Sequence, residues 1–370
     1  MTAIFLFGTL CHAPLFEVVA GLPLGGGSAQ LPGERVARAA GGPYPVLTEG
    51  PMADGLLVEV DDRTLARLDF YESCFGYRRV PVDLLVGGTP VAAQVWRPRG
   101  IETAEDADWC LDDWARDWGA ISVEAAREVM RQQSTASPEE IAQRFWMIRA
   151  RAQAHLRAGQ WDRPRRVGRG MTRADVDIET VRHPYTRFFT VEETRARFRR
   201  FNGGWSDPVE RGSFRVADAA TVLPYDPLRD RVLFVEQARF GPLSHGDAAP
   251  WLLEPVAGMV DAGETPETAA RREAQEEAGL TIGDLHKVAS YYPSPGGIAQ
   301  VLHSFVGIAD LPDGVTGTHG SDAEDEDILT HIVSFDTARA LLETGDLVDA
   351  PSIISLQWLM QHRDRLRAEP

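Results

Sequence analysis

Residues 1 to about 100 carry short apolar bursts of strand length: Ala3–Leu6, Gly55–Val60, Val80–Val86 and Val91–Trp96. Gly87-Gly88 separates the last two bursts, which predicts a β-hairpin. Within Asp62–Tyr71, Leu65, Leu68 and Tyr71 recur at spacing three and predict one short helix. From about 103 to 160 the period turns helical. Leu111, Trp114 and Trp118 fall at i, i+3 and i+7 on one face. Ser137-Pro138-Glu139-Glu140 is a capping box with proline at the first helical position, and it opens a helix striped by Ile141, Phe145, Ile148, Ala152 and Leu156. Such stripes are packing surfaces. Thr190-Val191-Glu192-Glu193 reads as another capping box, and strands are expected around Ala219–Pro224 and Val232–Gln237.

The chain has 370 residues, enough for two or three domains, and the pattern changes place them at 1–100, 101–170 and 171–370. A formal charge of −17 argues against generic nucleic-acid binding, because backbone phosphates are repelled. No apolar run reaches the 18 residues a membrane span needs. Cys11, Cys74 and Cys110 have no metal-ligand spacing and read as buried thiols of a reducing compartment. The apolar start lacks the basic residues of a secretory signal, the first being Arg35, so a cytoplasmic protein is expected. Against the acidic whole, residues 144–200 hold 15 arginines and six acids, a net +9. The stretch Arg163–Gly170 is expected to be a solvated linker. Lys287 is the chain's single lysine, so nearly all its cations are guanidinium groups suited to bidentate phosphate contacts.

The densest chemistry lies in Gly258–Leu280. Thr265 can cap, Pro266 suits the first helical position and Gly279 suits the stop, which delimits a helix of about 13 residues. Glu273, Glu276 and Glu277 then share one side of it. Like charges at this spacing oppose helix formation, so a cation should compensate, and an oxygen-rich cluster suits Mg²⁺ or Mn²⁺. Arg272, four residues before Glu276, can hold that carboxylate.

The full pattern is Gly, five residues, Glu, seven residues, Arg-Glu, an aliphatic position, any residue, Glu-Glu, any residue, Gly and an aliphatic. Seven fixed identities at about one in twelve each recur by chance in roughly one chain in 10⁵. It resembles the Nudix box. The resemblance implies an α/β/α sandwich over about 185–365 that hydrolyses a nucleoside diphosphate linked to a further moiety. Pro295, sixteen residues after Gly279, is similar to the proline marking the ADP-ribose pyrophosphatase branch. The tail Gly345–Ser352 with Leu356–Leu359 is similar to that branch's closing helix.

Residue by residue, the resemblance implies metal ligation by Glu273, Glu277 and the carbonyl of Ala257, supported by Glu276, with Glu324 as general base or a further metal contact. Arg211 and Arg239 would grip the diphosphate and ribose, and Ser294 would line the terminal-ribose site. Gln300 stands where relatives commonly carry glutamate, so its ribose contact has no charge. A divalent cation neutralises a pyrophosphate and lowers the pKa of the attacking water, and a carboxylate takes the remaining proton. The implied products are AMP and ribose 5-phosphate, and relatives are commonly homodimers. An ADP-ribose sensor without turnover is the alternative, although such sensors lose box glutamates.

Phe7-Gly8-Thr9-Leu10, Tyr44-Pro45, Leu68–Glu72 and Tyr77–Val80 resemble the γ-glutamylcyclotransferase-like (AIG2-like) fold, a small β-barrel. The resemblance implies carboxylate binding by the Gly8, Thr9 and Leu10 loop and an acid/base role for Glu72, which offers cyclotransferase activity as a further alternative. Phe7 replaces the usual tyrosine, and Trp96 stands where tyrosine is common. The expected architecture is therefore α+β and multidomain: barrel, helical linker, Nudix sandwich. This arrangement resembles bacterial proteins called tellurite-resistance-associated ADP-ribose pyrophosphatases.

Overall fold

The glycine pair at 87–88 turns the chain as its spacing predicts. Val86 pairs with Thr89, and both glycines take positive φ (57° and 82°), the left-handed pair that a two-residue hairpin of this twist requires. The structure is a computed structural model describing residues 1–100, 103–314, 317–320 and 326–368, and its chain divides into two units, Met1–Gln160 and Trp161–Pro370.

Among the described residues of the first unit, the strands are β1 (Thr2–Leu6), β2 (Gly27–Ala39), β3 (Pro45–Val60), β4 (Tyr77–Val86), β5 (Thr89–Pro98) and β6 (Ala104–Asp108). They run in the order β3-β1-β5-β4-β2-β6, and a further β2–β3 pairing closes the first five into a barrel. Alternate residues of the strands point inward, so Phe5, Leu31, Leu84 and Val95 fill the interior. The helices are α1 (Ala13–Ala20), α2 (Asp62–Ser73), α3 (Leu111–Trp114), α4 (Ala120–Arg131), α5 (Pro138–Gln143) and α6 (Phe145–Gln160).

The helical stretch after residue 103 differs from its expected form in two ways. It packs within the first unit, with α4 against α1 and α6, rather than standing as a separate segment. The stripe from Ile141 to Leu156 is also not one helix. Arg144 leaves helical geometry (φ −119°, ψ 13°) and turns its buried guanidinium to Gln132 Oε1 at 2.7 Å, which ends α5 and restarts the chain as α6. Arg151 and Glu128, both almost wholly buried, join α6 to α4 at 2.5 Å. Two charges taken out of water together need this pairing.

The second unit begins with β7 (Val176–Thr186), β8 (Thr190–Phe198) and β9 (Val209–Arg215). Next come β10 (Ala219–Asp226), β11 (Arg231–Ala238), α7 (Phe240–His245), β12 (Trp251–Glu254), β13 (Val256–Met259) and α8 (Pro266–Ala278). The rest are β14 (Leu285–Tyr291), β15 (Ile298–Ala299), β16 (Leu302–Ile308), β17 (Thr318–His319), β18 (Ile328–Ser334), α9 (Phe335–Thr344) and α10 (Ala350–Ala368). The central sheet is mixed, ordered β14-β16-β10-β11-β18-β17, with β12 added to β11 and β13 to β10.

Alternation along β10 and β11 divides the core between the sheet's two faces. Ala220, Val222, Leu233 and Val235 pack against Ala269, Ala270, Ala274 and Ala278 of α8. Leu223, Tyr225, Val232 and Phe234 pack against Phe335 of α9 and Leu356 and Leu359 of α10. This is the α/β/α sandwich. The alanine stripe has no bulk, so α8 settles close to the sheet.

The second capping box is not a helix start. Thr190 opens β8, the strand that pairs with both β7 and β9 in a separate sheet ordered β15-β9-β8-β7. Hydrogen bonding to two neighbouring strands outweighs a local cap signal, and β-branched Thr190, Val191 and Thr194 suit it. The cysteines also differ from expectation: Cys74 is buried, Cys11 is partly so and Cys110 is exposed. Among the described residues no helix is long and apolar enough to cross a membrane.

Candidate functional site

The acidic helix forms as its ends dictate. Thr265 accepts a hydrogen bond from the Thr268 amide, Pro266 occupies the first turn, and Gly279 closes the helix in the left-handed region (φ 64°). With the alanines turned to the sheet, Glu273 and Glu277 face β13, while Glu276 remains exposed.

Arg272 organises these acids. Its guanidinium meets both oxygens of Glu264 at 3.0 Å, Glu273 at 2.7 Å and Glu276 at 2.9 Å, and donates to the Met259 carbonyl at 3.1 Å. Glu277 is 3% exposed and accepts from the Ala257 amide at 3.1 Å. Burial pushes Glu277 up to about 8, and the charges of Glu273 and Glu326 add to the shift. Burial likewise lifts Glu273 to about 7, against the pull of Arg272. Glu273 also lies flat on Gly258, where a Cβ would stand 1.9 Å from its Oε1. The first glycine of the motif is therefore the floor on which this carboxylate rests.

These residues fit a divalent cation. The donors are hard oxygens, and two half-buried or buried carboxyls are raised by burial and mutual repulsion, which added positive charge would reverse. Among the described residues no three such side chains already converge as a cage, because Arg272 occupies Glu273 and Glu276. Ala257, expected to lend its carbonyl, sits directly against Glu277. Glu324 lies outside the described residues. Glu326, two positions on in the same acidic stretch, bears electrostatically on both Glu273 and Glu277.

Arg239 follows β11, and its Nε meets Glu254 at 2.6 Å. Its charge also bears on Glu277 and Asp349. Sequence reasoning missed Glu254 and Asp349, both raised by burial. Asp349 caps α10 through the Ser352 amide, while its Oδ2 is buried with no hydrogen-bond partner among the described residues. Glu254 ends β12 directly before the motif, a position that could have flagged it.

Arg211, Ser294 and Gln300 form a second neighbourhood. Arg211 is exposed on β9 and donates to the Glu210 carbonyl. The Ser294 carbonyl accepts from the amides of Gly297 and Ile298, and Ile298 pairs with Phe214 of β9. Gln300 Nε2 donates to the Ala217 carbonyl at 2.8 Å, while Asp218 Oδ1 accepts from the Val301 amide. The loop is thus pinned where β10 begins, and β10 pairs with β13 at Ala257. Among the described residues no hydrogen bond or ion pair joins these three residues to the glutamate cluster. Arg163, expected in a solvated linker, stacks over Trp161 and Tyr292 at 5.2 and 5.7 Å.

In the first unit, Gly8, Thr9, Leu10 and Glu72 line one cavity of about 350 Å³. Burial, with help from Asp69, pushes Glu72 up to about 8, which keeps it largely protonated at neutral pH. Gly8 approaches Pro45 closely, since a Cβ there would lie 2.6 Å from the ring.

The NUDIX domain family model matches residues 215–355, and the model for gamma-glutamyl cyclotransferase, AIG2-like, matches residues 4–116. An ADP-ribose pyrophosphatase from Escherichia coli strain K12 is 42% identical over 195 residues, 53% of this chain and 92% of that protein. One from Haemophilus influenzae is 37% identical over 195 residues, 52% of this chain and 89% of its own length. A GDP-mannose pyrophosphatase from Escherichia coli O1:K1 is 34% identical over 146 residues, 39% of this chain and 75% of that protein.

The contact at Gly258 generates a prediction. Gly258→Ala displaces Glu273, and Mn²⁺ affinity measured by titration calorimetry should fall about tenfold or more with the circular dichroism spectrum preserved. Unchanged affinity would remove Glu273 from the cation site.

Proposed function

The chain belongs to the Nudix hydrolases, and we propose that its second unit hydrolyses the pyrophosphate of ADP-ribose to AMP and ribose 5-phosphate, with Mg²⁺ or Mn²⁺ as cation. The observation that carries this reading is the burial of Glu273 and Glu277 against the backbone of Ala257 and Gly258, with Arg272 orienting their neighbours. ADP-ribose is preferred to GDP-mannose because the likeness to the ADP-ribose pyrophosphatases is both higher and longer.

Glu273, Glu277 and the Ala257 carbonyl would hold the cation. When bound, a divalent cation offsets the charge of the diphosphate and lowers the pKa of the attacking water. The chain's own residues do the rest. Arg272 keeps Glu273 and Glu276 from repelling each other apart. Glu254 fixes the Arg239 guanidinium, leaving its outer edge for a phosphate oxygen. The acidic stretch at 324–327 supplies the carboxylate that accepts the proton, with Glu324 assigned that role. Arg211 grips the diphosphate, and Ser294 and Gln300 contact the terminal ribose.

A homodimer is part of the proposal. Ile178, Val181, Tyr185, Phe198 and Phe214, on β7, β8 and β9, are each at least 40% exposed, an apolar surface that a second copy would cover. Light scattering should return twice the 40.7 kDa chain mass; a strictly monomeric protein at micromolar concentration would refute this part.

The activity test uses purified full-length chain with ADP-ribose, GDP-mannose and NADH at fixed Mg²⁺. ADP-ribose should turn over fastest, and Glu277→Gln should reduce kcat at least about 100-fold while melting remains cooperative. Retained activity in that variant contradicts the ligand assignment. A larger loss from Glu326→Gln than from Glu324→Gln would transfer the base to Glu326.

A further inference from the structure

The chain enters β10 through a buried carboxylate, Asp218, which is 3% exposed. Three hydrogen bonds tie this entry to the end of the 294–301 loop. Gln300 Nε2 donates to the Ala217 carbonyl at 2.8 Å, the Val301 amide to Asp218 Oδ1 at 3.0 Å, and the Ala219 amide to the Val301 carbonyl at 3.1 Å. A fourth bond runs to the opposite side, where the Val260 amide donates to the Asp218 carbonyl at 2.9 Å. Val260 directly follows β13, and the ladder continues through Ala219 with Met259, Ala220 with Gly258 and Thr221 with Ala257. Asp218 thus holds the loop of Ser294 and Gln300 with its side chain, and the strand of Ala257 and Gly258 with its main chain.

The local course of the chain explains why a carboxylate stands there. Val301 is buried one residue before β16, and pairing of β16 with β10 begins only at Leu302 with Ala219. The Val301 amide therefore lies outside the ladder, and a buried amide must find an acceptor. Asp218 Oδ1 is that acceptor. Behind it stands His303, also buried, with Nδ1 2.8 Å from Ser290 Oγ and Nε2 3.9 Å from Asp218 Oδ2. When Ser290 donates to Nδ1, the neutral ring carries its proton on Nε2, toward the carboxylate. Among the described residues that nitrogen makes no hydrogen bond.

We propose that Asp218 is a positioning residue for the hydrolysis, which sets the 294–301 loop against the strand of Ala257 and Gly258, with His303 and Ser290 steadying its carboxylate. The proposal rests on the assignment of Ser294 and Gln300 to the terminal ribose. A carboxylate acceptor makes a charge-assisted bond, stronger than a neutral one. Loosening it displaces substrate contacts that act alike in the ground and transition states, so KM rises and kcat is spared. The strand side is unaffected, because Val260 bonds to the main chain of residue 218.

The test combines steady-state kinetics of the full chain on ADP-ribose at fixed Mg²⁺, amide hydrogen exchange over residues 294–301, and Mn²⁺ calorimetry. Asp218→Ala should raise KM and speed loop exchange about tenfold or more each, while kcat falls less than about threefold. Mn²⁺ affinity should stay within about twofold. Asp218→Asn, whose amide oxygen still accepts from Val301, should restore most of both. His303→Ala, which keeps Asp218 itself, should move KM and exchange the same way by about threefold. A merely stabilising residue would lower the melting temperature without the KM shift or its rescue. Unchanged KM or exchange in these variants, a kcat loss exceeding the KM rise, or no rescue by Asp218→Asn would each overturn the proposal. An unaltered chain that leaves ADP-ribose intact contradicts instead the reading on which it rests, and the exchange comparison then still decides whether Asp218 holds the loop.

Discussion

The second unit depends on one guanidinium holding together carboxylates that would otherwise repel. Arg272 bridges Glu264, Glu273 and Glu276 and reaches the Met259 carbonyl, so α8 and the strand before it are locked by charge-assisted hydrogen bonds. Glu277, on the neighbouring turn, accepts from a backbone amide rather than from Arg272, and its pKa is raised further than that of Glu273. The distribution is asymmetric in a useful way. Glu264, Glu273 and Glu276 are fixed in position by Arg272, and Glu277 is held by the Ala257 amide. The alanine stripe of α8 and the absent side chain at Gly258 make this possible, because a bulkier residue on either side would hold the helix off the strand.

The first unit solves a different problem. Its barrel encloses a cavity that Trp114, Trp118, Ser122, Phe145 and Arg149, from the helices after residue 103, also line, and this helical layer departs from α-geometry at the π turn 115–119 and at Arg144. Each departure costs regular hydrogen bonding within the helix. At Arg144 the bond to Gln132 and the contact of Phe145 with Phe75 compensate. The two units thus differ in character: the second carries a cluster of acids around Arg272, and the first a largely aromatic cavity lined by a single guanidinium.

Much of this was legible in the residues wherever local chemistry decides the outcome. The limits of α8 follow from Thr265, Pro266 and Gly279, and the hairpin follows from Gly87-Gly88, because capping and positive φ are properties of a few adjacent residues. Pairing over distance was less legible. Thr190 looks like a cap until β7 and β9 flank it as strands. Arg144 looks like the middle of a helix until Gln132, twelve residues earlier, offers it a buried partner. The role of Gly258 as a floor for Glu273 and the reach of Trp118 and Arg149 into the barrel's cavity are likewise facts of tertiary approach. Ser294, Gln300 and Arg211 lie about the β9–β15 pairing, and among the described residues no hydrogen bond ties them to the glutamates.

Anomalous diffraction from Mn²⁺-soaked crystals tests the central claim most directly. The account predicts at least one peak within about 2.5 Å of carboxylate oxygens of Glu273 or Glu277, with Arg272 still bonded to Glu264. A well-ordered, Mn²⁺-saturated crystal with no peak beside either side chain would contradict it.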